Sequence, residues 1–347
     1  MMIPVWTYAL HILWISAVAF GYEKQYKKYA HHVGCNTALI VICYNRPEYL
    51  KQCIAALERN PESRVWPVIF ALDGGSNAKQ HENLNIIESS SLKDTIILQR
   101  PHNYGCIKNY IDAHRFAFEW CMFERVIVVE DDIVITDSYC RLMSTIHEWA
   151  EERFDNIGAV QGWSYCMLPR AEKQAYIAHI EENPLVWSFV TYSMTGNIWR
   201  KISPILYKFE AFVDKVPKSE EYDAERSCLT WGEQMPRIKK WVEKLVARKK
   251  CRKKESDAHL YSRYEDEFKD FFLSSKFNAA IDVVLGLAFY VNDLVKLCTV
   301  VNRAIHIGEQ GLNTDTYTFQ QRGYHNVVLD QFPEDKVLRK FCITYAY

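Results

Sequence analysis

The fold of this chain can be read outward from residues 126–134, Val126-Ile127-Val128-Val129-Glu130-Asp131-Asp132-Ile133-Val134. Four consecutive β-branched residues are typical of a strand that is buried on both faces of a sheet. Three carboxylates follow at the carboxyl end of that strand, where open α/β sheets bind ligands. Crowded acids repel one another unless a cation lies among them, and oxygen ligands favour Mn²⁺ or Mg²⁺. The alternative interpretation is an acidic surface turn.

Three earlier segments also predict strands that end in polar residues, and they cover residues 37–43, 65–72 and 95–98. Arg46 follows the first strand and can reach a phosphate or a base carbonyl. Asp73 follows the second, in Asp73-Gly74-Gly75-Ser76, and can accept a hydrogen bond from a uracil N–H or a ribose hydroxyl. A helix predicted over residues 108–123 follows the third, and its N-terminus with Lys108 suits an anion.

Strands that alternate with helices predict an α/β fold with a mostly parallel, Rossmann-like sheet flanked by helices. The carboxyl ends of parallel strands meet at one edge of a sheet, so the polar residues that follow them are expected to converge. An isolated Asp before Gly-Gly is usually only a turn, but the convergence of several such ends predicts a nucleotide-diphosphate site.

Composition excludes some classes of protein. The 347 residues include 42 basic and 43 acidic ones, a formal charge of −1, so no overall field favours nucleic acid. The eleven cysteines are scattered without a C-x-x-C pair, which disfavours structural zinc and favours reduced thiols. The chain also lacks an N-x-S/T sequon. Both observations disfavour a secreted or lumenal protein.

The N-terminal segment, residues 1–32, contains a mostly apolar run over Ile3–Phe20. Eighteen residues are at the short limit for crossing a bilayer of about 30 Å. The basic residues Lys24, Lys27 and Lys28 follow the run, which predicts membrane association with the remaining chain on the cytosolic side. The alternatives are a buried or amphipathic N-terminal helix, and a lumenal orientation of the Golgi type.

Three segments together resemble the GT-A glycosyltransferases: Ile40–Leu50, Leu72-Asp73-Gly74 and Val128–Asp132. The resemblance is to the N-acetylglucosaminyltransferase I type (family 13) and to family-2-like bacterial relatives, and it covers about residues 37–140. It implies a single GT-A catalytic domain over residues 33–347. Residues 37–140 would form its nucleotide-sugar half and 141–312 its acceptor half, with a basic insertion near 237–257 and a tail over 313–347.

The resemblance also implies roles for individual residues. Asp132 would bind Mn²⁺ or Mg²⁺ with the diphosphate of a UDP-sugar donor. The implied donor-binding residues are Arg46 and Asp73 on the uridine, Glu130 and Asp131 toward the donor sugar and ribose, and Asn109 as a further donor contact.

The resemblance further places a catalytic base, Asp282, at the start of an apolar helix, 26 residues before the glycine of the loop Arg303–Gly308. The family's tryptophan beside this aspartate is absent, so Asp223 and Glu233 are rival bases. From the residues alone, Asp282 is a helix cap. The implied activity is inverting transfer of a sugar, with GlcNAc one candidate, to a glycan or glycoconjugate acceptor. The alternatives are a nucleotidyl transferase and an inactive glycan-binding relative.

Overall fold

The computed structural model describes residues 36–74, 78–163, 178–180, 189–215, 234–249, 258–260, 265–275, 277, 279–310, 316–321 and 343–345. The predictions for the N-terminal segment, for the rival bases Asp223 and Glu233, and for most of the tail lie outside these residues. No helix among the described residues is long and apolar enough to cross a membrane.

A nine-stranded sheet forms the centre of the molecule, in the order β11-β7-β9-β6-β8-β4-β1-β2-β3. Its strands are β1 (Thr37–Cys43), β2 (Val68–Leu72), β3 (Thr95–Ile97), β4 (Arg125–Glu130), β6 (Ile157–Gln161), β7 (Ala178–Ile180), β8 (Thr191–Thr195), β9 (Val295–Thr299) and β11 (Ile343–Tyr345). The strands β3, β2, β1 and β4 are mutually parallel, whereas β8 is antiparallel to both β4 and β6. A separate antiparallel pair joins β5 (Ile133–Ile135) to β10 (Ala304–His306).

Helices cover both faces of the sheet. They are α1 (Pro47–Arg59), α2 (Ala78–Ser89), α3 (Gly105–Arg115), α4 (Tyr139–Glu151), α5 (Gly196–Val213), α6 (Met235–Arg248), α7 (Glu265–Leu273), α8 (Ile281–Val291) and α9 (Thr316–Gln321). Residues of α1, α2 and α4 pack in one buried cluster, and residues of α3, α5, α6, α7 and α8 pack in the other. The predicted α/β fold with a mostly parallel sheet flanked by helices is confirmed.

The continuous apolar runs in β1 and β4 follow from this double cover. Along β1, Ala38 and Ile40 face one cluster, whereas Leu39 and Val41 face the other. Successive side chains in a strand point to opposite faces, so a strand with helices on both faces needs apolar residues at every position. This arrangement leaves the strand ends as the place where polar side chains can gather.

Two predicted boundaries were wrong. The second strand begins at Val68 and not at residue 65, because a short 3₁₀ turn over Pro61–Arg64 precedes it and leaves Val65 on the surface. The helix after β3 begins at Gly105 and not at residue 108. The side-chain oxygen of Asn103 accepts a hydrogen bond from the Gly105 N–H at 2.8 Å and so starts the helix one turn earlier.

The basic stretch lies on the outer surface of the fold. Its helix, α6, buries Ile238, Val242 and Val246, and the ring of Trp241 stacks on Phe209 at 6.5 Å. Its basic residues Arg237, Lys240, Lys244 and Arg248 are exposed. The predicted basic insertion near 237–257 therefore begins with a helix that has a solvent-exposed basic face, and its residues 250–257 lie outside the described residues.

Candidate active site

The predicted convergence of strand ends occurs at the carboxyl edge of the sheet. In the parallel register Ile42 of β1 lies opposite Glu130 of β4, and Cys43 lies opposite Leu72 of β2. The loops that follow these three strands therefore begin side by side. The loops carry Arg46, Asp73, Asp131 and Asp132, and Glu130 is the last residue of β4.

Arg46 holds two of the acidic side chains together. Its Nη1 atom lies 2.5 Å from Asp132 Oδ2, and its Nη2 atom is paired with Asp131 Oδ1. Asp131 and Asp132 are 0% and 2% exposed, whereas the Arg46 side chain is 29% exposed. The acidic cluster is thus part of the interior and not a surface turn, and its counter-charge faces the solvent.

The carboxylates are too close to ionise independently. Burial raises the pKa of Asp131 to about 6, and Arg46 opposes this rise while Asp132 adds to it. Burial, Asp132 and Asp282 all raise the pKa of Glu130 well above its ordinary value. One guanidinium therefore does not neutralise the cluster, and a further cation would stabilise its charged form.

A loop after β10 covers Asp132. The pairing of β10 with β5 sets His306 opposite Ile133, and the Ile307 N–H donates to the Asp132 carbonyl at 2.8 Å. A Cβ atom at Gly308 would overlap Asp132 Oδ2, so the close approach needs glycine. The Nε2 atom of His306 lies 3.4 Å from the same oxygen.

His306 is a site residue that the sequence reasoning missed. Its Nδ1 atom accepts the Gly308 N–H at 3.1 Å, which leaves Nε2, the atom near Asp132, to carry the proton of a neutral ring. The sequence feature that could have identified His306 is its position, two residues before Gly308 in the loop Arg303–Gly308. No periodicity distinguishes it.

The acidic cluster offers one clear ligand for a hard cation, the carboxylate of Asp132, but not a complete set of ligands. The Oδ1 atom of Asp132 is buried and has no hydrogen-bond partner within the part of the chain that the structure describes, which fits one carboxylate ligand to Mn²⁺ or Mg²⁺. No group of three or more His, Cys, Asp or Glu side chains within the described ranges is arranged as a preformed metal site. The remaining ligands would therefore come from a diphosphate and water.

Asp73 lies at the same carboxyl edge of the sheet. One of its two carboxylate oxygens accepts hydrogen bonds from the backbone. Its Oδ1 atom accepts the N–H groups of Gly74 and Tyr104, at 2.8 and 2.7 Å. Gly74 packs so tightly on the His102 carbonyl that a Cβ atom would overlap it. These contacts fix the orientation of Asp73 beside Arg46 and the acidic cluster.

The structure gives Asn109 a structural position instead of the implied donor contact. The side chain is 1% exposed, donates to the Ala71 carbonyl at 2.8 Å and accepts from Arg100 at 2.9 Å. Lys108 lies on the first turns of α3, but its ammonium group forms an ion pair with Asp214 at 2.9 Å. The predicted anion site on this helix would have to compete with that pair.

The candidate base Asp282 lies in the first turn of α8, while Ala280 is the residue that caps the helix, so the interpretation of Asp282 as a cap is wrong. Burial raises its pKa to about 6, and Lys296 and the N–H of Phe189 oppose the rise. The charge of Asp282 also acts on Glu130. Asp282 therefore lies close enough to the acidic cluster for their charges to interact, although they are far apart in the sequence.

Trp163 belongs to the core. The side chain is 1% exposed, and the ring meets that of His306 edge-on at 6.1 Å. Trp163 can therefore support the site through His306. Ser164, Tyr165 and residues 183–187 lie outside the described residues.

Solved structures similar to this chain are glycosyltransferases of low sequence identity. The structure of S. aureus TarS 1-349 has 14% identity and a TM-score of 0.36, and the match covers 70% of this chain and 71% of that one. The mannosyltransferase PcManGT from Pyrobaculum calidifontis, in complex with GDP-Man and Mn²⁺, has 12% identity and a TM-score of 0.35, with 67% and 74% covered. A longer S. aureus TarS structure has 14% identity and a TM-score of 0.34 over 53% of this chain, which spans only 30% of that protein.

A sequence model of a protein family matches a long segment of the chain. No curated protein matches the chain in sequence. The sequence model described as glycosyl transferase family 2 matches residues 38–214, just over half of the chain. The family-2 part of the expected resemblance and the GT-A fold class are thereby confirmed, while the closer resemblance to family 13 stays a prediction. The chain belongs to glycosyl transferase family 2.

Proposed function

We propose that this chain is a metal-dependent inverting glycosyltransferase that moves a sugar from a UDP-sugar to a hydroxyl group of a glycan or glycoconjugate. One observation carries the proposal. Arg46 pairs with the buried carboxylates of Asp131 and Asp132 at the carboxyl edge of the sheet, and the Oδ1 atom of Asp132 has no hydrogen-bond partner among the described residues. Membership of family 2 supports the same reaction class.

Arg46 and Asp73 would bind the nucleotide. The Arg46 side chain is 29% exposed, so its guanidinium can turn to a phosphate oxygen. The fixed carboxylate of Asp73 can accept a hydrogen bond from a uracil N–H or a ribose hydroxyl. Glu130 and Asp131 would face the donor sugar and ribose. Lys108 would help to bind the donor once its ion pair with Asp214 is broken.

Asp132 would hold Mn²⁺ or Mg²⁺ through its unpaired Oδ1 atom, with His306 beside it. When bound, the ion supplies neutralisation of the charge that develops on the leaving diphosphate. The chain's own groups prepare for this role, because the loop over Ile307 and Gly308 shields Asp132 and Arg46 pairs with its carboxylate.

Asp282 would accept the proton of the acceptor hydroxyl as it attacks the anomeric carbon. A pKa of about 6 leaves the carboxylate ionised at neutral pH while keeping it a stronger base than an ordinary aspartate. An inverting reaction needs one such base on the face opposite the leaving group. GlcNAc remains one candidate for the transferred sugar.

The test is nucleotide release from UDP-GlcNAc, UDP-galactose, UDP-glucose and GDP-mannose, with Mn²⁺ and with EDTA. We expect Mn²⁺-dependent release of UDP, loss of release in Asp132→Asn, and a β-linked product from an α-linked donor. Retention of anomeric configuration, or release equal in EDTA, would contradict the proposal. Consumption of added pyrophosphate with formation of UTP and a sugar 1-phosphate, instead of release of UDP, would identify the nucleotidyl transferase alternative.

We also propose that Ile3–Phe20 associates with a membrane and that the catalytic domain lies on its cytosolic side. Two features of the sequence support this: the apolar run itself and the three lysines that follow it. A Golgi-type lumenal orientation is the alternative. Protease protection of the domain in sealed vesicles separates the two, since a lumenal domain would be protected and a cytosolic one digested.

A further inference from the structure

The outward side of α6 carries a dense row of positive charge. Arg237, Lys244 and Arg248 are exposed, and their spacing of seven and four residues puts them on one stripe of the helix. Glu243 is the only acidic residue of α6, against five basic ones. Because the whole chain has a formal charge of −1, this concentration of basic residues is local and does not follow from composition.

A half-buried tryptophan fixes α6 with this stripe facing outward. Trp241 lies between Arg237 and Lys244 along the helix, and its ring stacks on Phe209 of α5 at 6.5 Å. It also tilts against the ring of Phe212 at 5.6 Å. The apolar side of α6 is therefore packed on the core, and the basic side chains are left to the solvent.

The neighbouring helix α5 extends the positive surface. The Nζ atom of Lys208 lies 5.6 Å from the centre of the Phe212 ring, the same ring that Trp241 meets. Lys208 is also exposed, so its charge adjoins the stripe on α6. We use the name basic face for five exposed residues of the two helices: Lys208, Arg237, Lys240, Lys244 and Arg248.

A surface of this kind fits a negatively charged partner. Proteins that bind single-stranded nucleic acid without sequence preference stack bases on aromatic side chains, whereas the ring of Trp241 is already stacked on Phe209. Basic clusters are attracted to the anionic lipids of the cytoplasmic leaflet. The apolar run Ile3–Phe20 and the lysines after it favour the same partner, since they predict membrane association.

We propose that the basic face docks the catalytic domain on an anionic lipid surface. Ile3–Phe20 alone would attach the chain to a membrane without orienting the domain, and the basic face would turn α5 and α6 toward the lipid. The inference adds an orientation to the proposed membrane association, and it does not depend on the donor, the metal or the base. The helix α6 also lies beyond residue 214, where the match to family 2 ends.

The main test measures binding of the full chain to vesicles of phosphatidylcholine, with and without phosphatidylserine. In the triple variant Arg237→Gln/Lys244→Gln/Arg248→Gln we expect binding to the anionic vesicles to fall by at least about tenfold, because each basic residue near such a surface contributes about fivefold. High salt should remove the preference of the unaltered chain for anionic vesicles, since exposed charges are screened. Binding to the neutral vesicles, which reports on Ile3–Phe20, should be the same in both proteins.

The matched control removes three exposed charges on and after α1 and α2, which cover the other face of the sheet: Lys51→Gln/Lys79→Gln/Lys93→Gln. It should bind anionic vesicles like the unaltered chain. Equal losses in the two triple variants, or no loss in the α6 variant, would overturn the proposal. If the chain ignores neutral vesicles but the α6 variant still loses anionic binding, the basic face stands and the proposal for Ile3–Phe20 is wrong.

Nucleic acid is the competing partner. Loss of binding to an RNA oligonucleotide in the α6 variant, with vesicle binding unchanged, would assign the basic face to nucleic acid and overturn the proposal.

The unaltered protein supplies a test that needs no variant to fold. Acetylation of lysines by acetic anhydride, read by mass spectrometry, should slow at Lys240 and Lys244 when anionic vesicles are added. Lys51 and Lys79 should react as before. Equal reactivity of Lys240 and Lys244 with and without the vesicles would show that the basic face does not meet the lipid.

Discussion

The Nη1 atom of Arg46 lies 2.5 Å from the Oδ2 atom of Asp132, although the two residues are 86 positions apart. One follows β1 and the other follows β4, and these strands are parallel neighbours. The acidic cluster therefore has a counter-ion that belongs to the protein. A divalent cation at Asp132 would compete with Arg46 for this carboxylate, and a displaced Arg46 could bind a phosphate.

Asp132→Asn should weaken Mn²⁺-dependent binding of UDP by at least about tenfold, because the uncharged amide is a poorer ligand. Calorimetry with UDP, in Mn²⁺ and in EDTA, measures this change. Asp137→Asn is a suitable control, since Asp137 is an exposed carboxylate five residues farther along that pairs with Arg59. Unchanged binding in Asp132→Asn would remove Asp132 from the proposed metal site.

Asp282→Asn should lower turnover by roughly 10²-fold or more, the scale of general-base catalysis, and leave the KM for the donor nearly unchanged. In the unaltered enzyme, activity should fall as the pH drops through about 6, because the base must be ionised. Steady-state kinetics between pH 5 and 8 measure both effects. Near-normal turnover in this variant, with collapse in Asp223→Asn or Glu233→Gln, would transfer the role to a rival base.

Stability should also report on Asp282. Its pKa in the folded protein is about 6, above the ordinary value for the unfolded chain, so the folded state binds the proton more tightly. The free energy of unfolding should therefore fall as the pH rises through this window, by about 1 kcal/mol between pH 5 and 8 from this group. Urea unfolding should show a smaller decline in Asp282→Asn and an unchanged one in Asp270→Asn, a change at an exposed position on α7.

Gly308→Ala should impair Mn²⁺-dependent UDP binding more than it lowers the melting temperature. The added methyl group would overlap the Asp132 carboxylate and press on the His306 ring, and the loop must move away. Gly196→Ala is the matched control, because a Cβ atom there meets its neighbours at 3.4 Å, an ordinary contact. Equal UDP affinity in the two variants would show that the loop does not shape the site.

Deleting residues 1–30 should give a soluble protein that retains transferase activity, because the described core begins at β1. Flotation of the full chain and of the truncated protein with liposomes measures the membrane contribution of Ile3–Phe20. A truncated protein that fails to fold, judged by circular dichroism, would place the apolar run in the core.

The sequence predicted best what depends on local pattern. The buried strand over residues 126–129 and the position of the acids after it follow from four β-branched residues and three carboxylates in a row. Parallel pairing then brings Arg46 to the acids, which the alternation of strands and helices made predictable. Asn109 was misassigned because its amide is used by Arg100 and Ala71, and neither contact leaves a periodic signal.

The residues that the sequence did not predict make their contacts with parts of the chain that are far away in the sequence. His306 reaches Asp132 only because β10 pairs with β5, two three-residue strands that are too short to give a pattern. Lys296 is an ordinary charged residue in the sequence pattern, yet in the structure it is buried in β9 with its ammonium group 4.8 Å from the centre of the Phe189 ring.

The antiparallel strand β8 lies between two groups of strands in the nine-stranded sheet. In the described pairings the strands that carry Arg46, Asp73 and the acids meet the strands beyond only through β8. The sequence shared with family 2 ends at residue 214, directly after the helix that follows β8. Since β6 and β7 lie beyond β8 and still fall within the matched residues, the part of the chain that the family model does not reach contributes β9 and β11 to the far side of the sheet.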